Sequence, residues 1–184
     1  MLKLHLAPLG FEDRKLSDRL SLSLERILGA EVNYVDLDIP IEEYRSVERK
    51  QYFSTKIIAD AIKRTDTIEG KVQMLIEHDL YVPVFTFVFG EAQLGGKHSI
   101  VSLCRLHEEF YSGNTNEELL FIRLIKESLH ELGHNFGLKH CHDWDCVMHS
   151  SAAIEEVDIK GTFFCKTCGA IVEEQTGSRI LRKL

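Results

Sequence analysis

Apolar and polar residues alternate over residues 2–6, which predicts an opening β-strand. Over residues 11–28 the period lengthens: Leu16, Leu20, Leu24 and Ile27 share one helical face, and Gly29 stands as a stop. Alternation returns over residues 31–37. Ser54 is placed to cap a helix over residues 55–64, with Ile57, Ile58, Ala61 and Ile62 facing inward. Residues 72–76, 83–89 and 98–106 read as strands. Thr115 and Glu118 then form a T-x-x-E capping box. A dense apolar series follows, from Leu119, Leu120, Phe121 and Ile122 through Leu124, Ile125, Leu129 and Leu132 to Phe136. That density predicts a long helix buried on most of its circumference, ending near Gly137. Alternating strands and helices ahead of a long helix imply an α/β sandwich.

The end of that helix carries chemistry. Residues His130, Glu131, His134, Gly137 and His140 fit H-E-x-x-H-x-x-G-x-x-H, the extended signature of zinc peptidases. His130 and His134 are four apart, so one helix face aims both imidazoles at one point. Glu131 sits beside the first of them, where its carboxylate can take a proton from a water on the metal. Gly137 accepts a positive φ, so the helix can stop and the chain can return His140 as a third ligand. Three protein ligands leave a position open for water, the arrangement of a catalytic zinc. The plainer reading is three surface histidines at the end of an amphipathic helix.

Four cysteines form a second cluster in the sequence: Cys141 and Cys146, then the C-x-x-C pair Cys165 and Cys168. Two short-spaced thiol pairs suit a closed, four-thiolate structural zinc. Disulfides or a redox pair are the alternative. The opening MLKLHLAPLG has no apolar core followed by a small-residue cleavage site, so no secretory leader is expected. A reducing, cytoplasmic setting then favours metal over disulfides. Cys104 lies in an apolar run and is expected to be an inert core thiol.

HELGHNFGLKHC, followed by Cys146-Val147-Met148 and Cys165-Lys166-Thr167-Cys168, resembles the metzincin metallopeptidases, and among them the archaemetzincins or archaelysins. Residues 49–52, 79–81, 87–92 and 101–106 are similar to that family's intermediate segments. The likeness covers nearly the whole chain, most strongly residues 79–168 and least residues 1–45. It implies a mixed twisted sheet with an antiparallel edge strand above the cleft, long backing and active-site helices, and a C-terminal portion built on a four-cysteine zinc. It implies that Met148 is the methionine of the tight turn beneath the catalytic zinc. It also implies that the strand near Gly90, Glu91 and Ala92 lines the cleft and pairs with an extended peptide. On the residues alone, an ordinary surface turn there is an equal alternative.

Composition narrows the function. Residues 1–184 suffice for one domain with its own core, of which 141–184 is the cysteine-tied portion. A net charge of -7 argues against nucleic acid as the partner. No apolar run approaches the ~20 residues that span a bilayer. A cytoplasmic monomer acting on peptides or proteins, with two zinc ions per chain, is the expectation. The reaction is zinc-assisted amide hydrolysis with Glu131 as general base. A zinc protein that binds a peptide or partner with little or no peptidase activity is the alternative; a zinc-ribbon module for nucleic acid has only the cysteines in its favour. His142 is expected in solvent, His149 in a turn, and Trp144 over the cysteine site. His5, His78, His98 and His107 have no motif context, and the mixed charges of residues 42–50 suit a solvated helix or loop.

Overall fold

The computed structural model describes residues 1–181. Its central strands are apolar on both faces, so they require cover on both. β1 (Leu2–Leu9), β2 (Ala30–Tyr34), β5 (Lys71–Ile76) and β8 (His98–Ser102) pair in parallel. β7 (Gly90–Ala92) runs antiparallel along β8, giving the order β2-β1-β5-β8-β7 and leaving β7 at the edge. The mixed sheet with an antiparallel edge strand is therefore as expected. A small second sheet joins β3 (Arg45–Ser46), β4 (Gln51–Phe53) and β6 (Leu80–Tyr81).

Two helices cover one face. α1 (Arg14–Leu28) and α4 (Glu117–Asn135) pack on Leu4, Leu6, Leu75 and Val101. α2 (Ser54–Arg64) covers the other face, over Ala7, Leu9, Met74, Ile76 and Ile100. The shorter α3 (Glu109–Ser112), α5 (Ile154–Ile159) and α6 (Lys166–Thr176) follow the sheet, and Val157, Cys168, Val172 and Ile180 join the α1–α4 core. Among the described residues no helix is long and apolar enough to cross a membrane.

Several expected boundaries move, each for a local reason. α1 starts at Arg14 rather than Phe11, because Asp13 Oδ1 caps it by accepting from Leu16 N at 2.9 Å. β2 stops at Tyr34 and β8 at Ser102. Ser54 lies in the first turn of α2 instead of capping it; its hydroxyl donates to Tyr81 O and Glu91. Ile57, Ile58 and Ala61 face inward as expected, but Ile62 is exposed. Asn116, not Thr115, caps α4, with Oδ1 accepting from Leu119 N at 3.0 Å. Glu118 is drawn outward to Arg19 at 2.7 Å and closes no capping box.

The largest correction concerns residues 83–89, which form no strand. Their carbonyls are taken by side chains: Gln51 Nε2 donates to Thr86 O and Arg49 Nη1 to Phe85 O. Only Val88 bridges to Leu80. The aromatic residues of this loop thereby turn towards the cleft.

Buried His98 gives the fold a pH dependence. Its ring nitrogens lie 2.6 Å from Thr65 Oγ1 and 3.0 Å from Gln93 Oε1, and burial, helped by the charge of Lys97, pushes its pKa down to about 4. Between that value and the ordinary 6.5, the unfolded chain binds the proton and the folded chain does not. Stability should therefore fall as pH drops through this window, by up to about 3 kcal/mol. Urea unfolding of zinc-loaded wild type and His98→Gln from pH 4.5 to 7 checks this: the wild type should show the steeper slope, and equal slopes refute it.

Candidate metal and catalytic site

α4 ends in a turn that fixes the site. Gly137 takes φ +90°, its N–H donates to His134 O at 2.9 Å, and Leu138 N–H reaches back to Gly133 O at 3.0 Å. These two bonds are the Schellman closure, with Leu138 buried as its apolar partner. The chain then reverses and brings His140 to His130 and His134, with ring centroids 5.3 and 5.0 Å away. One ligand nitrogen from each of the three lies within 4.8 Å of the others.

The ring orientations are set by carbonyls. His130 Nδ1 lies 2.8 Å from Val147 O, and His134 Nδ1 lies 2.7 Å from Leu138 O. A carbonyl only accepts, so each Nδ1 carries the proton and each Nε2 presents a lone pair. Those Nε2 atoms stand 3.2 Å apart. Two facing lone pairs repel unless a cation lies between them, and a tetrahedral ion bound at ~2.0–2.1 Å fits that gap. Burial, more than any neighbouring charge, holds all three imidazoles below the usual histidine range, in the neutral form a metal needs.

Glu131 lies in the same wall, 5% exposed. Burial, then the negative charge of Glu127, pushes its carboxyl well above the usual range, while Lys160 opposes the rise. Beneath the helix, Met148 is fully buried, and a Cβ on Gly133 would overlap its Sδ. Met148 also holds the next segment, its carbonyl accepting from Cys141 N at 2.9 Å.

The four cysteines converge as well. Their Sγ atoms lie within 4.8 Å of one another, with Cys141 and Cys165 Sγ 4.0 Å apart. Burial pushes Cys146 up to about 11 and raises Cys168 further, as crowded thiols do without a cation. At the start of α6, burial works against Cys165 too, but the N–H and thiol of Cys168, the thiol of Cys146 and the N–H of Thr167 together outweigh it and lower its pKa. Such a set accepts a thiolate-loving ion.

The edge strand faces these groups. A cleft of about 800 Å³ runs between β7, residues 85–89, α4 and residues 150–152. Gly90 lies against the catalytic helix: a Cβ there would stand 2.7 Å from Glu131 Cγ and Oε1. Ala92 follows on the same lining, while the Glu91 carboxylate is held by Ser54 and Thr55, the latter at 2.8 Å.

The comparisons with known proteins now decide the family. The model of peptidase family M54 matches residues 29–174. The chain belongs to peptidase family M54. It is 37% identical to the archaemetzincin of Methanocaldococcus jannaschii, over 91% of each chain, and 36% identical to that of Archaeoglobus fulgidus, over 92% of this chain and 98% of the relative. The crystal structure of archaemetzincin from Methanopyrus kandleri superposes with a TM-score of 0.81 at 32% identity, covering 96% of both chains. A zinc-dependent peptidase from Methanocorpusculum labreanum superposes with a TM-score of 0.82 at 28% identity, over 92% of this chain and 99% of its own. M54 membership makes the chain a zinc metallopeptidase acting on peptides.

His142 is exposed, as expected. Trp144 is 56% exposed, and its ring lies 3.9 Å from that of His149, tilted by 33°; His149 Nδ1 in turn lies 3.0 Å from Cys141 O. Cys104 is partly buried and its thiol is pushed up to about 11, which suits an inert group. The ion pair of Glu127 with Lys160 at 2.7 Å escaped sequence reading altogether. Its one signal was a lysine at the apolar end of a short helical pattern.

Gly90 and Gly133 give a direct test of this packing. Gly90→Ala should keep its zinc yet lose about 10²-fold in rate, because the displaced carboxylate is Glu131, with a smaller loss of stability from the 2.8 Å approach of the new Cβ to Ile100 O. Gly133→Ala should instead lower stability, by about 1–3 kcal/mol, through overpacking against Met148. Kinetics and thermal melts of both variants separate the two; a fully active Gly90→Ala refutes the first.

Proposed function

We propose that His130, His134 and His140 hold the catalytic zinc and that Glu131 is the general base of peptide-bond hydrolysis. The observation that carries this is the pair of Nε2 lone pairs facing each other at 3.2 Å beside a buried Glu131. A zinc held there supplies Lewis acidity to a water and to the scissile carbonyl. Glu131 accepts the proton released by the attacking water and delivers it to the departing amine. Its desolvated carboxylate is a stronger base than one in solvent, which suits that transfer. Met148 and Gly137 keep the ligands in place from below and from the turn. The open side of β7, at Gly90, Glu91 and Ala92, offers main-chain pairing to an extended peptide.

Cys141, Cys146, Cys165 and Cys168 hold a second, structural zinc in this reading. The chain is then one catalytic unit over residues 1–184, with 141–184 its thiolate-tied portion. Cysteines kept as zinc thiolates rather than disulfides suit a reducing compartment, which supports a cytoplasmic location. The acidic surface supports a monomer that engages neither nucleic acid nor membrane.

Two measurements test these roles. Metal analysis should find two zinc ions per chain, and mild chelation should empty the three-histidine site first, because its shell is open. A single zinc at saturation, or two that leave together, refutes the assignment. Cys165→Ser should lower the melting temperature, since binding energy at a structural zinc is folding energy. Glu131→Gln should keep fold and zinc but cost about 10²–10⁴-fold in rate, whereas His134→Ala should cost the metal. Equal cleavage by wild type and Glu131→Gln refutes the mechanism, and zinc-loaded wild type inert to a broad peptide library favours a binding protein.

A further inference from the structure

Glu127 and Lys160 border the catalytic groups, Lys160 Nζ lying 3.5 Å from His130 Nδ1, but neither touches the reacting atoms in the mechanism above. Glu127 lines the cleft one helical turn before Glu131, although it is only 3% exposed. Lys160, fully buried, places Nζ 2.7 Å from Glu127 Oε1 and 3.5 Å from His149 O. Stability alone does not account for the pair, because a buried ion pair often contributes less than apolar residues of the same volume. Lys160 meets Glu127 Oε1 as a charge, and that oxygen has no hydrogen-bond partner among the described residues, so the carboxylate keeps acceptor capacity to spare. Aromatic residues of the 85–89 loop line the same cleft, with Phe85 60% exposed. Ser151, in the same lining, has a buried Oγ with no hydrogen-bond partner among the described residues.

We propose that Glu127 is a specificity-determining residue, which selects a basic substrate side chain, arginine best, for this part of the cleft. The inference rests on the peptidase reading of the same cleft and names its substrate class. An arginine stem lies along the aromatic wall, and its planar guanidinium stacks on a ring while donating to Glu127. Ser151 Oγ accepts a further N–H. Lys160 holds the Glu127 carboxylate in place from behind, so the acceptor is preorganised before the peptide arrives. An acidic side chain placed against Glu127 offers no donor and meets a like charge, so it is disfavoured there.

The test uses the full-length, zinc-loaded Glu131→Gln protein, which binds without cleaving. Peptides that place Arg, Met or Glu at each position in turn are titrated by calorimetry. At one position the Arg peptide should bind at least about tenfold tighter than the Met peptide, and the Glu peptide weakest. Adding E127Q should bring Arg and Met level. Because E127Q leaves Lys160 buried without its counter-charge, the apolar pair E127L with K160M serves as a second variant and should abolish the preference as well. Lack of any Arg preference in the parent, or its survival in a folded, zinc-bound variant, overturns the proposal. If wild type cleaves peptides without favouring Arg, the specificity fails and the peptidase reading stands. If wild type cleaves nothing while Glu131→Gln still prefers Arg, the mechanism fails and the specificity stands.

Discussion

The structure is governed by the cost of burying charge along α4. Arg123, Lys126, Glu127, His130 and Glu131 all lie on this helix at 5% exposure or less. Burying such polar and charged groups unpaired is costly, and four of the five draw partners from elsewhere in the chain. Arg123 takes Asp158 and Glu108, and Lys126 takes the carbonyls of Val157 and Asp158. Glu127 takes Lys160, and His130 takes the carbonyl of Val147. Every one of these partners except Glu108 comes from the segment after the third histidine. The C-terminal portion therefore completes the helix on which the chemistry sits.

That dependence joins the two clusters of ligands. Met148 lies between them, touching Gly133 in the helix and accepting from Cys141 N–H. Gly161, next to Lys160, has no room for a side chain because a Cβ would overlap Asp145 O in the loop between Cys141 and Cys146. A displacement of the thiol cluster thus reaches both the histidine pair and the ion pair through a few close contacts. Lys71 works at the same end, donating to Asn135 O and Gly96 O at 2.7 Å and so neutralising the last turn of α4. The edge strand is tied in by Gly95 N–H, which donates to His134 O at 2.8 Å.

What the sequence made legible follows from the range of the interactions. The helix stop at Gly137, the three histidines on one side of it and the four paired thiols are short-range patterns, and the structure brings each set together. Parallel strands buried on both faces also announce themselves as apolar runs. Caps were legible only to within a residue, because Asn116 and Thr115 are both competent and Glu118 had a distant rival partner in Arg19. Residues 83–89 misled for a related reason. Their Val and Phe alternation suits a strand, yet Gln51 and Arg49, more than thirty residues earlier, claim the carbonyls. Lys160 and Glu127 are separated by a Gly, a Met turn and a helix, and no local period connects them.

The contact that closes the core has a consequence for how the protein is made. Leu181 N–H donates to Ile27 O at 2.8 Å, and Ile180 is buried among the residues that α1 also covers. Gly29, at the end of that first helix, lies against Ser178 and Arg179. The first helix thus waits for residues more than 150 positions later before its last turn is covered. Pairings of such separation form late, since loop closure must precede any gain from them. While the chain emerges from the ribosome at about 5–20 residues per second, the far end of α1 remains an open apolar surface for many seconds. Synthesis through residue 181, rather than of any earlier element, sets the moment at which this contact can form.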